Sequence, residues 1–147
     1  MTKNALAKAL KHLKKDERLA RVIKKHPKPE FERGRDPYQA LIRSIVYQQL
    51  SGKAAGTILR RFLEIYPGTG YPTPQQVLKT PLPKMRKAGL SGQKATYIKD
   101  LSKKFLDGTI NPKLFPKMSD EEIRQHVIAV KGIGRWTAEI YLMFAHG

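Results

Sequence analysis

The sequence predicts an all-α fold, a bundle of short helices, on three observations. No segment sustains the apolar–polar alternation of a strand, whereas apolar residues recur at spacings of three and four. Residues that cap helices stand just ahead of those apolar runs, several with proline next in line. Glycines follow several of the runs, where a helix can end in a left-handed residue.

Taken in chain order, residues 2–26 read as one or two helices. Leu6, Leu10, Leu13, Leu19, Val22 and Ile23 form their apolar stripe, and Asp16 can cap the second after a break at Lys14-Lys15-Asp16. Residues 26–35 carry Pro27 and Pro29 and read as a loop. Asp36-Pro37 starts the next helix, with Tyr38, Leu41, Ile42, Ile45 and Val46 at helical spacing to about Tyr47. Gln48-Gln49-Leu50 interrupts it. Ser51 then caps a helix whose apolar face is Ala54, Ala55, Ile58, Leu59, Phe62 and Leu63.

The stretch from Pro67 to Pro72 is a turn. Thr73-Pro74 and Thr80-Pro81 both resemble cap-plus-proline starts, and Gly89 ends the second short helix. Ser91 opens a longer one, with Ala95, Ile98, Leu101, Phe105 and Leu106 inward and Gly108 as its stop. Ser119 and Glu122 form a capping box ahead of Ile123, Val127 and Ile128. After Gly132-Ile133-Gly134, the residues Thr137, Ala138, Ile140, Tyr141 and Phe144 give a last helix, so a hairpin spans about 123–145.

A length of 147 residues fits one domain over 1–147. Lys and Arg number 29 against 12 acidic residues, a net charge of +17 that implies a polyanionic partner. Nucleic acid is the first reading and an anionic membrane surface the second; charge by itself names neither. No apolar stretch approaches the roughly 20 residues that span a bilayer. No apolar run and cleavage site follow the N-terminal lysines, and Asp16 and Glu17 argue against a mitochondrial presequence, so no targeting segment is expected. With no cysteine, disulfides, thiolate zinc sites and iron–sulfur clusters are excluded. His12, His26, His126 and His146 lie far apart, so neither a metal nor any other cofactor is expected.

The glycine hairpin carries the sharpest chemistry. Two glycines permit positive φ and close approach of another backbone. They leave amides free at the start of the following helix, where the helix dipole favours a phosphate oxygen. Lys131 and Arg135 add charge, Ile133 is the apolar plug that pins the turn, and Thr137 can reach back to the same helix start. The bland alternative is a plain corner between two helices.

Val130-Lys131-Gly132-Ile133-Gly134-Arg135-Trp136-Thr137-Ala138 resembles the hairpin of the helix-hairpin-helix (HhH-GPD) DNA glycosylases, most of all their 3-methyladenine (alkylated-base) branch. Asp36-Pro37-Tyr38-Gln39-Ala40-Leu41, continuing to Gln48-Gln49-Leu50-Ser51-Gly52-Lys53-Ala54-Ala55, resembles that branch's helix pair around a Gln-Gln-Leu/Ile-Ser turn. Leu90-Ser91 with Lys94-Ala95 and Tyr97-Ile98 resembles its next helix. The similarity runs from about Leu6 to the end.

The resemblance implies base-excision repair: a damaged base is flipped from double-stranded DNA into a pocket and its N-glycosidic bond is hydrolysed. It implies roles residue by residue. Gln49 is the wedge that fills the gap left by the base, or else an ordinary loop glutamine. Gln48 lies beside it near the minor groove. Ser51 and Gly52 present amides to DNA. Trp136 is an aromatic of the base pocket or a core tryptophan, and the two can coincide. Tyr47 and Tyr38 are weaker pocket readings, closer to core. Lys94 is a DNA contact or a solvated lysine.

Trp136 occupies the place where bifunctional relatives carry a lysine nucleophile, so the implied enzyme is monofunctional. The family's catalytic aspartate lies beyond the helix after the hairpin. Asp16, Asp36, Asp100, Asp107 and Asp120 all precede it, so that residue is expected past Gly147, with activity of the 147 residues impaired. Glu139, one turn from Trp136, is no ready substitute. The closing C-terminal helices are also expected to be missing, leaving part of the apolar surface of residues 36–65 uncovered. The alternative reading is a non-catalytic duplex-binding or lesion-binding protein. The expectation is a monomer acting inside the cell, in the nucleus of a eukaryote or the cytoplasm and nucleoid of a prokaryote.

Overall fold

The computed structural model describes residues 3–28, 36–68 and 70–143, and every regular element among them is a helix. The order is α1 (Lys3–Leu13), α2 (Glu17–Lys25), α3 (Pro37–Tyr47), α4 (Gly52–Leu63), α5 (Pro74–Lys79), α6 (Leu82–Lys87), α7 (Gly92–Leu106), α8 (Asp120–Ile128) and α9 (Arg135–Tyr141). One turn of 3-10 helix at Phe115–Lys117 precedes α8. Phe144 and residues 29–35 of the expected loop lie outside the described residues.

Local side-chain chemistry sets most helix starts. The Asp16 carboxylate accepts from the Arg18 and Leu19 amides, and that of Asp36 from the Gln39 amide at 3.0 Å. Ser51 and Ser91 accept from Ala54 and Lys94. Thr73 with Gln76, and Ser119 with Glu122, form reciprocal capping boxes. Each oxygen satisfies an amide that has no partner inside its own helix. Asp36→Ala should therefore lower stability by about 1 kcal/mol, read as a shift of the urea midpoint at unchanged slope.

Thr80 departs from the expected pattern. It closes α5 rather than opening α6: its hydroxyl donates to Gln76 O at 2.8 Å and accepts from Tyr66 Oη at 2.9 Å. Pro81 stands as the uncapped N-cap of α6. A Thr-Pro pair reads alike at either helix end, and here the upstream helix claimed the hydroxyl.

Helix α7 is the axis of the bundle, packed against α3, α5 and α6; α3 also meets α4 and α9, and α9 lies on α8. Leu41, Ile42, Ile45 and Val46 of α3, Phe62 of α4, Ile98 and Leu101 of α7, and Ile123 and Val127 of α8 are fully buried. One polar link crosses this core. The Tyr38 hydroxyl lies 2.6 Å from Ser102 Oγ, which donates to Ile98 O. Burial pushes the Tyr38 hydroxyl well above its ordinary pKa, so it stays a neutral donor.

Coverage of the apolar faces differs from helix to helix. The apolar face of residues 36–65 is covered only in part, as expected: Leu41, Ile45, Leu59 and Phe62 are buried, Tyr47, Ile58 and Leu63 are half-buried, and Leu50 and Ala54 are exposed. Leu106, at the end of α7, is exposed instead of inward. The N-terminal stripe is also left open: α1 and α2 pack on each other, yet Leu13, Leu19 and Val22 are 42%, 42% and 53% exposed. Periodicity says which residues share a helix face, and says nothing of what covers that face.

Candidate nucleic-acid interface

The hairpin between α8 and α9 is shaped by one glycine, not two. Gly132 has φ +79°, and a Cβ there would lie 2.0–2.6 Å from atoms of the Tyr97 ring. No other residue fits. Gly134 is extended, at φ −90° and ψ 177°, and a Cβ at that position would meet nothing within 4 Å. Its bare backbone leaves the start of α9 open and gives that start no side-chain cap. Ile133 is 4% exposed and is the expected plug, and its amide closes the turn on Val130 O at 3.1 Å.

Other groups hold the hairpin from below. The Lys131 amide is not free for a phosphate: it donates to Asp100 Oδ2 at 2.9 Å. Asp100 also lies 3.6 Å from Lys104 Nζ. Arg124 of α8 pairs with Glu121 and reaches Glu139 of α9, with Nε 2.9 Å from Oε1 although misaligned for a hydrogen bond. Arg135 Nε lies 3.6 Å from the same Glu139 oxygen. Glu139 is thus a brace between the two arms, already committed to two guanidinium groups. The Lys131 and Arg135 side chains face solvent.

The turn after α3 lies beside this hairpin. Gln48 Nε2 donates to Gly132 O at 2.8 Å. Thr137 is buried, and its hydroxyl is 3.5 Å from the same Gln48 nitrogen, so it faces the interior rather than an outside phosphate. Gln49 is exposed and holds φ +55°, the one positive φ among described residues other than glycine. Ser51 and Gly52, both exposed, begin α4 next to it. Trp136, in the first turn of α9, is 73% exposed. It is no core tryptophan.

Two expected residues go elsewhere. Tyr47 lines a separate open cleft of about 520 Å³ with Arg43, Leu59, Arg60 and Leu63. Its ring lies under the Arg43 guanidinium at 4.0 Å, and no hairpin residue borders that cleft. Lys94 is not a freely solvated lysine. Its ammonium donates to Val46 O and Gln48 O, both at 2.8 Å. Tyr38 is core, 5% exposed.

Sequence reasoning missed Tyr97, Asp100 and Arg124 as supports of the hairpin. The signal was faint: Lys94, Tyr97 and Asp100 recur every third residue along α7, on the face turned to both loops. Among the described residues no cluster of His, Cys, Asp and Glu could hold a metal ion, and no helix is long and apolar enough to cross a membrane.

Known proteins share this fold. Residues 42–143 match the model of the HhH-GPD superfamily base excision DNA repair proteins. DNA-3-methyladenine glycosylase 1 of Schizosaccharomyces pombe is 35% identical over an aligned length of 147 that takes in 96% of this chain and 64% of that protein. The structure of a Schizosaccharomyces pombe 3-methyladenine DNA glycosylase in complex with abasic DNA superimposes with a TM-score of 0.85 at 34% identity, over 95% of this chain and 70% of that one. A DNA-3-methyladenine glycosidase from Bacillus halodurans gives a TM-score of 0.80 at 31% identity, over 97% and 64%. The chain therefore spans about two thirds of the length of these proteins.

Proposed function

The chain belongs to the HhH-GPD superfamily of base excision DNA repair proteins, in the 3-methyladenine glycosylase branch, and on that premise we propose that it grips damaged double-stranded DNA and exposes an alkylated purine for excision. The observation that carries this reading is the exposed Trp136 beside the hairpin. A 73% exposed tryptophan, next to a turn clasped by Gln48, suits a ligand better than a core. In this reading the open start of α9, with Lys131 and Arg135, meets phosphate. Gln49 fills the gap in the stack, and Trp136 faces the extruded base. A cationic methylated purine over that ring gains about 0.5–2 kcal/mol.

Bond cleavage needs a carboxylate free to act. The two carboxylates nearest the hairpin are engaged, Glu139 with Arg124 and Arg135, and Asp100 with Lys131 and Lys104. We therefore propose that these 147 residues bind and flip, as a monomer, but leave the N-glycosidic bond intact. That makes lesion binding without catalysis the second reading for this stretch of chain. Trp136 cannot form a Schiff base, so strand cleavage by a lysine at that position is not part of either reading. The site of action follows from the substrate: wherever chromosomal DNA lies.

The test pairs binding with product release. The 147-residue chain should bind a duplex carrying an N7-methylated purine more tightly than the matching intact duplex, and release no 3-methyladenine from methylated DNA. Trp136→Ala should erase about 2- to 30-fold of that preference and shift stability by less than about 0.5 kcal/mol. Equal affinity for both duplexes would leave only a backbone binder, and equal affinity for RNA only a basic scaffold. Free 3-methyladenine in the supernatant would mean that a carboxylate is available after all, with Glu139→Gln the first variant to make. A steep loss of affinity with salt is expected under every reading, since counterion release accompanies any phosphate contact.

A further inference from the structure

The placement of Lys94 needs a reason. It sits in the first turn of α7, where its amide is capped by Ser91. A cation there opposes the helix dipole. What it meets instead is the other end of a different helix. The carbonyls of the last turn of α3 have no partner inside that helix, and the Lys94 ammonium takes two of them, Val46 O and Gln48 O. The dipole at the C-terminus of α3 favours a cation at that spot. Burial lowers the pKa of this ammonium, in keeping with a partly desolvated seat.

Between and beyond these carbonyls runs the turn that carries Gln49. A non-glycine residue at φ +55° is strained, and such a conformation persists only where its surroundings over-determine it. Gln48 supplies the determination from two directions. Its carbonyl is held by Lys94 and its side-chain amide by Gly132 O. The chain of bonds thus runs from α7 through Gln48 to the glycine hairpin. Leu50 closes the other side with an amide 3.4 Å from Tyr47 O, a weak bond that cannot hold the turn by itself.

We propose that Lys94 is a positioning residue: by clasping the C-terminal carbonyls of α3 it presents Gln49 to DNA and, through Gln48, fixes the wedge turn to the hairpin as one unit. This rests on the wedge reading of Gln49 given above. Lys94 itself touches no DNA. The hairpin's own supports, Tyr97 and Asp100, are separate from this clasp, so losing Lys94 costs wedge placement and spares the phosphate grip.

The experiment uses the whole chain, a duplex with a tetrahydrofuran abasic analogue opposite 2-aminopurine, and the same duplex undamaged. Lys94→Met should lose roughly tenfold or more of the preference for the abasic duplex, as expected for charge-assisted bonds, with affinity for the undamaged duplex changed less than about twofold. Lys94→Arg, which keeps two donors, should recover most of the preference. Gln49→Ala should match Lys94→Met, and the double variant should lose no more than either. Without DNA, amide exchange at Gln48–Leu50 should rise in Lys94→Met and stay unchanged across α7.

An additive double variant would overturn the proposal, because Lys94 would then act independently of the wedge. Equal losses on both duplexes would overturn it too, by making Lys94 a general support or a phosphate contact. A full preference in Lys94→Met, with Gln49→Ala impaired, leaves the wedge reading standing and removes the clasp. No preference in the unaltered chain removes the wedge reading, and the proposal with it.

Discussion

Gly132→Ala is expected to destabilise the protein by about 2–4 kcal/mol and to abolish DNA binding, while Gly134→Ala changes stability by less than about 0.5 kcal/mol. Two costs fall on the first variant. At φ +79° an alanine is strained. Its methyl would also lie 2.0 Å from the Tyr97 ring, inside any permissible contact, so ring or backbone must move. The second variant meets neither cost, because Gly134 is extended and faces open space. Urea unfolding of both separates the two positions. The double variant Gly132→Ala with Tyr97→Ala should cost less than the sum of its parts, since the ring that obstructs the methyl is gone. Binding adds a second contrast: if phosphate approaches the bare Gly134 backbone, Gly134→Ala binds duplex DNA weakly although fully folded. Equal stability of the two single variants would show that the ring beneath the hairpin does not constrain it.

Tyr141→Ala should cost about 3–5 kcal/mol and take DNA binding with it. The seven residues of α9 (Arg135–Tyr141) are too few to be helical alone, so packing must hold them. Tyr141 is 2% exposed and meets Phe115 edge-on at 6.4 Å between ring centroids. Burial pushes its hydroxyl well above the ordinary pKa, so it is a neutral group in the working range. Removing the ring leaves a cavity under a helix with little else to anchor it than Ala138 and Thr137. Tyr141→Phe keeps the ring and should retain most of the stability, losing about 1 kcal/mol. Trp136→Ala, on the same helix, should leave the urea midpoint in place. The pair separates the side of α9 that folds from the side that binds. An Ala variant at Tyr141 that keeps its midpoint would mean that α9 is held by the Arg124–Glu139 ion pair, which a part-exposed contact is not expected to achieve.

The helix starts were legible because capping is local. Asp16, Asp36, Ser51, Thr73, Ser91 and Ser119 each reach an amide two or three residues on, so type and spacing were enough. The helix after Gly134, the plug at Ile133 and the break at Gln48-Gln49-Leu50 were equally readable from pattern. Thr80 failed the same test because two helices competed for one hydroxyl. Leu106, expected inward, is exposed because amphipathicity names a face and not its cover.

The hairpin itself divides along this line. Sequence by itself determined that a glycine turn flanked by Lys131 and Arg135 joins two helices, that Trp136 follows it, and that the family is the one its motifs resemble. Tertiary structure alone decided that Gly132 and not Gly134 is sterically required, that Thr137 turns inward, that Trp136 stands in solvent, and that Lys94 clasps the end of α3. The partners concerned are 31 to 89 residues apart, as Lys131 is from Asp100 and Gln48 from Thr137. A backbone turn is a short-range property of the residues in it. Which side chain lies beneath that turn is fixed only when distant helices pack, and no local pattern carries that information.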